Sequence, residues 1–588
     1  MMQFEPKRLT LTHRCLDKPS QQMIYDVGFE SIARVLLARQ VHQVSELDMN
    51  IGALLPAADL LGIDEAITLI DDAIDHRQKI LIIGDFDCDG ATSTALMVRA
   101  LREMGAMVEF LVPDRFKFGY GLTPEIVKHG AALYQPNLII TVDNGISSHD
   151  GVQTAKELGI KVVITDHHLT TKPSPPADAV VNPNQLDCTF GSKWLVGVGV
   201  AFYVMGRLAK HRRTLGKSTT NVSQYLDLVA LGTVADLGVL DHNNRILVTH
   251  GLNAIRQGRA CVGILAILEQ SSRDHETITS EDFGFAIAPR INAAGRMDNM
   301  RIGVDCLLAD DWGEAHRLAL ELGKLNQSRR SIETAMKDEA IAIIEKLPNL
   351  SGDDQDKAVV LYQDNWHQGV IGIVAGRIKE NLYRPSIVFA PADTEKTGDD
   401  DWIKGSARSI AGVHIRDMIE AVAIEEPELI EHFGGHAMAA GLTIKKANFD
   451  RFARLFCQKV ASLDESVFCE QKYTDGELFA DEFSLHFAHQ LKNISVWGNG
   501  FAPPSFDGEF EVLNHRVLRD KHLKLSLRQK GVQYPIDAIW FNYDASVWDY
   551  RASKIHILYA VDINEWQGNQ SLQLIVKDLA VLQIVDFV

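Results

Sequence analysis

Aspartates cluster in this chain at the ends of apolar runs. Asp85, Asp87 and Asp89 (GDFDCDG) directly follow Lys79-Ile80-Leu81-Ile82-Ile83, Asp143 (VDNG) ends a Leu-Ile-Ile-Thr-Val run, and Asp166-His167-His168 (TDHH) ends Val-Val-Ile-Thr. One Asp per loop is explained by helix capping, since Asp is a favoured N-cap. Capping does not explain a D-x-D-x-D loop together with paired histidines on another. If the runs are parallel strands of one open sheet, their carboxyl ends converge on one crevice, where five aspartates and two histidines then meet. Such like charge repels itself unless a cation sits among it. Hard oxygen ligands with one or two imidazoles suit Mn²⁺ or Mg²⁺, and two ions are needed to neutralise so many carboxylates. Asp236 (GTVAD) is a further candidate ligand. Cys88, inside the first motif, is expected to be a small filler rather than a zinc ligand.

The elements that must hold these acids are legible as alternation. Short β-branched runs at 79–83, 107–112, 138–142, 162–165 and 179–181 are mostly separated by helical patterns, the signature of a parallel sheet covered on both faces. This predicts a doubly wound α/β domain. From 313 to 347 apolar residues keep 3- and 4-residue spacings in one long helix of roughly 50 Å, long enough to bridge two domains. A polar stretch, SGDDQD, then opens a second, smaller α/β unit over about 357–465. Beyond about residue 470, short alternating strands at 506–513, 522–527, 538–541, 555–563 and 572–576 predict a small β-barrel, with the OB type as one candidate. Within residues 515–530 of that barrel, Arg516, Arg519, Lys521, Lys524, Arg528 and Lys530 stand against the single acid Asp520. A basic face on an acidic chain predicts contact with single-stranded nucleic acid.

Composition sets the outer bounds. With 588 residues, 46% hydrophobic and 23% charged, the chain is expected to fold as several globular domains, not as a collagen-like, low-complexity or wholly disordered protein. No apolar run is long enough for a membrane helix and no apolar h-region follows the start, so neither membrane nor secretory signal is expected. The seven cysteines are scattered and form no C-x-x-C pair, which fits a reducing, cytoplasmic setting. A net charge of −19 confines any polyanion binding to a local basic groove.

Taken together, GDFDCDGATSTAL, RFKFGYGL, TVDNGISSH, TDHHL, GVGVAFY, LVALGTVAD, PRINAAGRM, WHQGVIGIVAGRI, KGSARS and FGGHAMAAG resemble, in this order, the RecJ single-strand-specific exonucleases of the DHH phosphoesterase superfamily. The resemblance runs from about residue 30 to the C-terminus, including INEWQGNQSLQL. It implies a DHH catalytic domain at 1–312 (core 76–240), a connecting helix at 313–350, a DHHA1 domain at 351–468 and an OB-like DNA-binding domain at 469–588. The implied metal ligands are Asp85, Asp87, Asp89, Asp143, His167 and Asp236, with Asp166 and His168 beside them. Relatives often carry His where this chain has Ile83, and commonly read PNRF where it has Pro113-Asp114-Arg115-Phe116.

The activity this implies is 5′→3′ hydrolysis of single-stranded DNA to 5′-mononucleotides in DNA repair and recombination. Two metal ions activate water, so no separate general base is required. Arg115, Arg290 and Arg296 are expected to clamp phosphates, since the Arg fork matches phosphate oxygens. Tyr120 is expected to stack on a base. Ser406 and Arg408 are similar to the family's 5′-end pocket, and Gly434-Gly435-His436 offers a phosphate nest. The family further implies a monomer working with single-strand-binding protein and a RecQ-type helicase. Two rival readings are a DHH phosphodiesterase of small nucleotides, which generally lacks the barrel, and a non-catalytic replication scaffold, which loses metal ligands. Deleting 470–588 is expected to leave the metal site intact.

Overall fold

The computed structural model describes residues 9–114, 118–170, 173–346, 357–392 and 401–585. Five parallel strands form the first sheet: β1 (Lys79–Gly84), β2 (Met107–Leu111), β3 (Leu138–Val142), β4 (Lys161–Thr165) and β5 (Ala179–Val181), in the order β2-β1-β3-β4-β5. Strand direction reverses its spatial progression between β1 and β3, the switch point at which such sheets bind ligands. The side chains of β1 divide between two cores, Ile80 and Ile82 on one face and Leu81 and Ile83 on the other. Burial on both faces is why the run reads as continuously apolar. Register matters most at the carboxyl ends. Gly84 pairs with Val142 and Val142 with Thr165, so Asp85, Asp143 and Asp166 leave the sheet from one row.

Helices α1 (Cys88–Glu103), α2 (Gly197–Thr214) and α3 (Leu226–Ala235) pack on one face, and α4 (Ala288–Met297) reaches the first acidic loop. The approach is close: a Cβ on Gly295 of α4 would stand 2.0 Å from the Phe86 carbonyl oxygen. The expected long helix is α5 (Trp312–Lys346), 35 residues. Its first half buries Ala315, Leu318, Ala319 and Leu322 in the core of the first domain, and its second half buries Met336, Ala340 and Ile344 in that of the second.

The second domain is mixed rather than parallel. Its strands β6 (Val359–Tyr362), β7 (Ser386–Pro391), β8 (Trp402–Arg408), β9 (His432–Gly435) and β10 (Ala439–Lys445) run in the order β9-β10-β8-β7-β6, with α6 (Ile371–Leu382) joining the parallel pair β6 and β7. The C-terminal strands β11 (Phe506–Leu518), β12 (His522–Arg528), β13 (Ile536–Phe541), β14 (Ala552–Trp566) and β15 (Asn569–Ile584) close a barrel in the order β11-β12-β13-β15-β14. Leu523, Leu525 and Leu527 of β12 are fully buried while the residues between them face outward, the period-2 pattern read from sequence. The hairpin β14–β15 outruns its apolar pattern. Its turn at Gln567 (φ 52°) and Gly568 (φ 79°) holds both residues left-handed, matching strand twist and pairing Trp566 with Asn569.

Residues 472–505, before the barrel, are woven into the first domain. Leu11–His13 pairs in parallel with Lys472–Thr474. The buried Glu482 carboxylate accepts from the Ser31 amide at 3.0 Å and its hydroxyl at 2.6 Å, and Arg39 forks onto Asp475 at 2.9 and 3.1 Å. Removing 470–588, expected above to spare the metal site, thus carries a cost to the fold of the first domain, because it strips partners from buried donors at Ser31 and Arg39. Among the described residues no helix is long and apolar enough to cross a membrane, and all seven cysteines are free. Glu482→Ala is expected to lower stability by about 2–3 kcal/mol, because a hydrogen-bonded buried carboxylate is lost and two donors at Ser31 are left unpaired. Urea unfolding checks this; an unchanged midpoint contradicts it.

Candidate metal centre

The first acidic loop is organised by helix capping, but capping uses only part of it. Asp87 is the N-cap of α1 and accepts from the Gly90 amide at 3.0 Å. Asp89, in the first turn of α1, points across to the start of α2, where the Gly197 and Val198 amides donate to it at 2.6 and 2.9 Å. Its carboxylate thus lies at the positive ends of two helices. Glycine is required at these approaches. A Cβ on Gly197 would stand 2.5 Å from the Asp143 Cβ, and one on Gly232 would stand 2.8 Å from Asp89 Oδ1. Asp143 itself adopts φ 60°, a left-handed conformation that turns it into the crevice.

The six expected ligands and His168 come together. His167 Nε2 is 3.0 Å from Asp143 Oδ1, 3.6 Å from Asp236 Oδ2 and 3.9 Å from Asp89 Oδ2. Ligand atoms lie within 4.8 Å of one another in three overlapping groups: Asp85, Asp87 and Asp143; Asp89, His167 and Asp236; Asp143, His167 and His168. Asp143 Oδ1 and His167 Nε2 are buried, yet neither has a hydrogen-bond partner despite their proximity. Two orphaned ligand atoms facing a common point fit a divalent ion, and the sharing of Asp143 and His167 between groups fits a pair of ions.

Electrostatics points the same way. Burial, then repulsion from neighbouring carboxylates, pushes Asp89 and Asp143 well above the usual carboxylate range and Asp236 up to about 7. Bare, the crevice resists ionisation; cations reverse this. Burial, aided by the charge of His168, lowers His167 to about 4, leaving the neutral imidazole that a metal ligand requires. Both oxygens of Asp166 are engaged in hydrogen bonds. Its Oδ1 accepts from the His167 amide, the His168 amide and His168 Nδ1 at 2.7, 3.1 and 2.7 Å, and its Oδ2 accepts from the Ile146 amide at 2.8 Å. Burial opposes a charge on His168, but the bond to Asp166 prevails and raises it to about 9. Tyr120 Oη lies 3.2 Å from His168 Nε2 with its ring edge-on at 5.7 Å, so it abuts the centre more closely than a stacking role alone requires. Cys88 is fully buried, its thiol pushed up by burial, as expected of a filler.

The remaining expected residues lie around this centre or apart from it. Arg290 and Arg296 sit on α4. Arg290 turns back onto the Ala286 carbonyl at 2.5 Å; burial and the cations Arg330 and Arg273 lower it. The Arg296 carbonyl meets the second domain, where a Cβ on Gly369 would stand 2.5 Å away. Arg115 falls outside the described residues. Ser406 and Arg408 share one face of β8, with Arg408 Nη1 3.1 Å from Ser406 Oγ. Arg408 is lowered by burial alone, and no carboxylate pairs with it among the described residues. Both heads crowd the first turn of α6, since a Cβ on Gly372 would stand 2.8 Å from Arg408 Nη2. Gly434 and Gly435 are not a turn-built nest: they pair with Gly441 and Ala440 as the edge strand β9, and exposed His436 follows in the hairpin. In the barrel, Arg516, Arg519 and Lys521 are exposed on the β11–β12 hairpin, whereas Lys524 is tied to Asp537 at 2.9 Å.

Comparison with known proteins agrees with this geometry. Family profiles match at residues 79–233 (DHH family, N-terminal domain), 355–462 (DHHA1 domain) and 474–578 (RecJ OB domain). The chain is 47% identical over 552 residues, 92% of its length and 95% of the relative's, to the single-stranded-DNA-specific exonuclease RecJ of Haemophilus influenzae. The chain belongs to the RecJ family. Crystal structures of RecJ from Thermus thermophilus in complex with Mn²⁺ and with Mg²⁺ are similar at TM-scores of 0.79 and 0.74, with 28% and 26% identity. Each covers 96% of this chain, and this chain covers 78% and 77% of theirs.

Sequence reasoning missed several parts of this RecJ-family site. Asn182 and Asn184 donate to the His168 and His167 carbonyls at 3.0 and 2.6 Å, bracing the histidine pair. Asn292 on α4 accepts the Cys88 amide at 2.8 Å. The GVGV start of α2, whose amides cap Asp89, stood out in sequence without a role. His168, raised above its ordinary value, contributes stability that is fully present below about pH 6.5 and lost as pH rises through about 9. Histidine-selective NMR in chelator is expected to find its titration near 9, and Asp166→Asn to return it towards 6.5. An unshifted titration in the wild-type protein contradicts this.

Proposed function

We propose that this chain hydrolyses single-stranded DNA from the 5′ end, releasing 5′-mononucleotides with the help of two divalent ions, Mn²⁺ or Mg²⁺. The observation that carries the reading is the pair of buried, unpartnered atoms Asp143 Oδ1 and His167 Nε2, 3.0 Å apart in a ring of carboxylates. The proposed ligands are Asp85, Asp87, Asp89, Asp143, His167 and Asp236. Bound there, the ions supply Lewis-acid activation of water and neutralise charge at the phosphate. His168 is oriented through Nδ1 by Asp166, which raises it above its ordinary value, so its Nε2 can donate to a phosphate oxygen or the leaving oxygen in exchange for Tyr120 Oη, now 3.2 Å away. Arg290 and Arg296 supply phosphate contacts from α4, joined by Arg115.

Polarity comes from the second domain. A metal crevice alone cuts any phosphodiester that reaches it. Arg408, cationic and without a carboxylate, lies with Ser406 at the amide end of α6, a setting that favours a terminal phosphate. Gly434, Gly435 and His436 flank this pocket on the sheet edge. The contact between Gly369 and the Arg296 carbonyl supports one cleft that joins both points. The proposed division of labour assigns chemistry to 1–312 (core 76–240), spacing to 313–350, 5′-end recognition to 351–468 and strand affinity to 469–588. In the barrel Arg516, Arg519 and Lys521 carry that affinity, with Lys524 a weaker contributor. The reading extends by resemblance to a monomer supplied with strands by a RecQ-type helicase and single-strand-binding protein. The barrel disfavours a small-nucleotide phosphodiesterase, and the complete acidic set disfavours a non-catalytic scaffold.

Asp143→Ala, like chelator, is expected to abolish nucleotide release from a 5′-labelled strand, while Cys88→Ala leaves it nearly intact. Substantial turnover by a folded Asp143 variant rules out the two-ion reading. Arg408→Ala is expected to slow hydrolysis of 5′-phosphorylated strands about tenfold to hundredfold, and 5′-hydroxyl strands less. Equal losses on both substrates would make Arg408 a general backbone contact.

A further inference from the structure

The turn that presents Asp236 is held only in part by its own helix. Asp236 is the C-cap of α3, the helix end whose carbonyls disfavour a carboxylate. Leu237 follows in a left-handed conformation, φ 55°, which crowds the Cβ of any branched residue. Its side chain is 72% exposed, so no burial compensates the strain. The end of α3 offers the turn backbone bonds from Leu237 to Val234 and from Gly238 to Thr233, at 3.2 and 2.9 Å. Asn244 Nδ2 donates to the Val239 carbonyl at 2.8 Å, and the support of Leu237 and Leu240 comes from a residue far along the chain. Asn499 Nδ2 donates to the Leu237 carbonyl at 2.6 Å, and the Asn499 carbonyl accepts from the Leu240 amide at 2.8 Å.

Asn499 is built to make this approach. It stands at the tip of a tight turn closed by mutual bonds between Gly498 and Phe501, at 3.0 and 3.2 Å. Glycine on both sides is needed for contact. A Cβ on Gly498 would stand 2.7 Å from Leu240 Cδ1, and one on Gly500 would stand 2.4 Å from Val239 Cγ1. The base of the turn is fastened to the first domain. Trp497 stacks on Phe501 at 5.1 Å, the Arg245 guanidinium covers Phe501 at 4.1 Å, and Ser280 Oγ donates to the Trp497 carbonyl at 2.8 Å. From there the chain enters the barrel at Phe506.

We propose that Asn499 is a positioning residue for the metal centre: by clamping the 237–240 turn it sets the direction in which Asp236 meets the ion beside His167. The segment that carries the barrel thereby fixes one ligand of the catalytic centre. The proposal rests on the reading of Asp236 as a ligand. A strained turn relaxes when its restraint is removed, and the carboxylate next to it then turns away from His167 Nε2, now 3.6 Å distant.

The test is Mn²⁺ titration of the metal-stripped full-length protein, by calorimetry and by the EPR signal of free Mn²⁺, for Asn499→Ala, Asp236→Ala and the double variant. Asn499→Ala is expected to weaken one of the two sites about tenfold or more, in the range seen for supporting residues around metal ligands. The affected site is expected to be the one weakened by Asp236→Ala, with the double variant no weaker than Asp236→Ala alone. A loss that adds fully to that of Asp236→Ala overturns the proposal, because Asn499 then acts through the general fold. An unchanged isotherm for Asn499→Ala beside a weakened one for Asp236→Ala overturns the clamp and leaves the metal reading standing. An unchanged isotherm for Asp236→Ala overturns both. Should the alanine protein melt early, Asn499→Ser, which keeps a short polar side chain suited to the turn, carries the same comparison.

Discussion

Mutual repulsion among buried carboxylates is the constraint on which the rest of this molecule depends. Asp85, Asp89 and Asp143 are buried, with half-buried Asp87 and the more exposed Asp236 beside them, and burial together with mutual repulsion pushes Asp89, Asp143 and Asp236 towards the protonated form. The fold tolerates this by supplying donors on rigid backbone: the amides of Gly197 and Val198 for Asp89, and that of Gly90 for Asp87. What these donors leave uncompensated is the charge that divalent ions neutralise. Positions near the centre are correspondingly intolerant, since Gly197 and Gly232 have no room for a methyl group against Asp143 and Asp89.

The second consequence is a division between chemistry and recognition. His167 and His168 are adjacent in sequence yet titrate in opposite directions, because Asp166 spends its acceptors on one imidazole and on the backbone of both. One imidazole is lowered towards the neutral form and the other raised towards the charged one. Ser406 and Arg408, to which we assign end recognition, lie on a different sheet, and α5 links the two sheets with each half packed into a different core.

The chain also closes on itself. Segments from its start and from residues 472–505 share a parallel ladder, the Ser31–Glu482 bonds and the Arg39–Asp475 fork. The segment that leads into the barrel is thus attached to the first domain by buried polar contacts rather than by a loose tether.

Much of this was legible in the residues themselves. The strands of the first sheet, the long helix and the five barrel strands were readable because each buries one or both faces, and burial writes its period into the sequence. The acid clusters were readable because D-x-D-x-D and D-H-H have no adequate structural explanation. Boundaries were less so where pairing, not burial, sustains a strand: β14 and β15 run on through the polar stretch Asn564–Ser571 because a two-residue turn sets their register. Tertiary structure alone decided that Asp166 also accepts from the Ile146 amide, that Gly434 and Gly435 lie in an edge strand, that Lys524 is engaged by Asp537, and that Asn499 reaches Leu237. Each of these depends on which polar groups the fold brings within about 3 Å. Local sequence determines the elements and the charges they carry; contacts hundreds of residues apart determine which of those charges are satisfied and which are left facing a ligand.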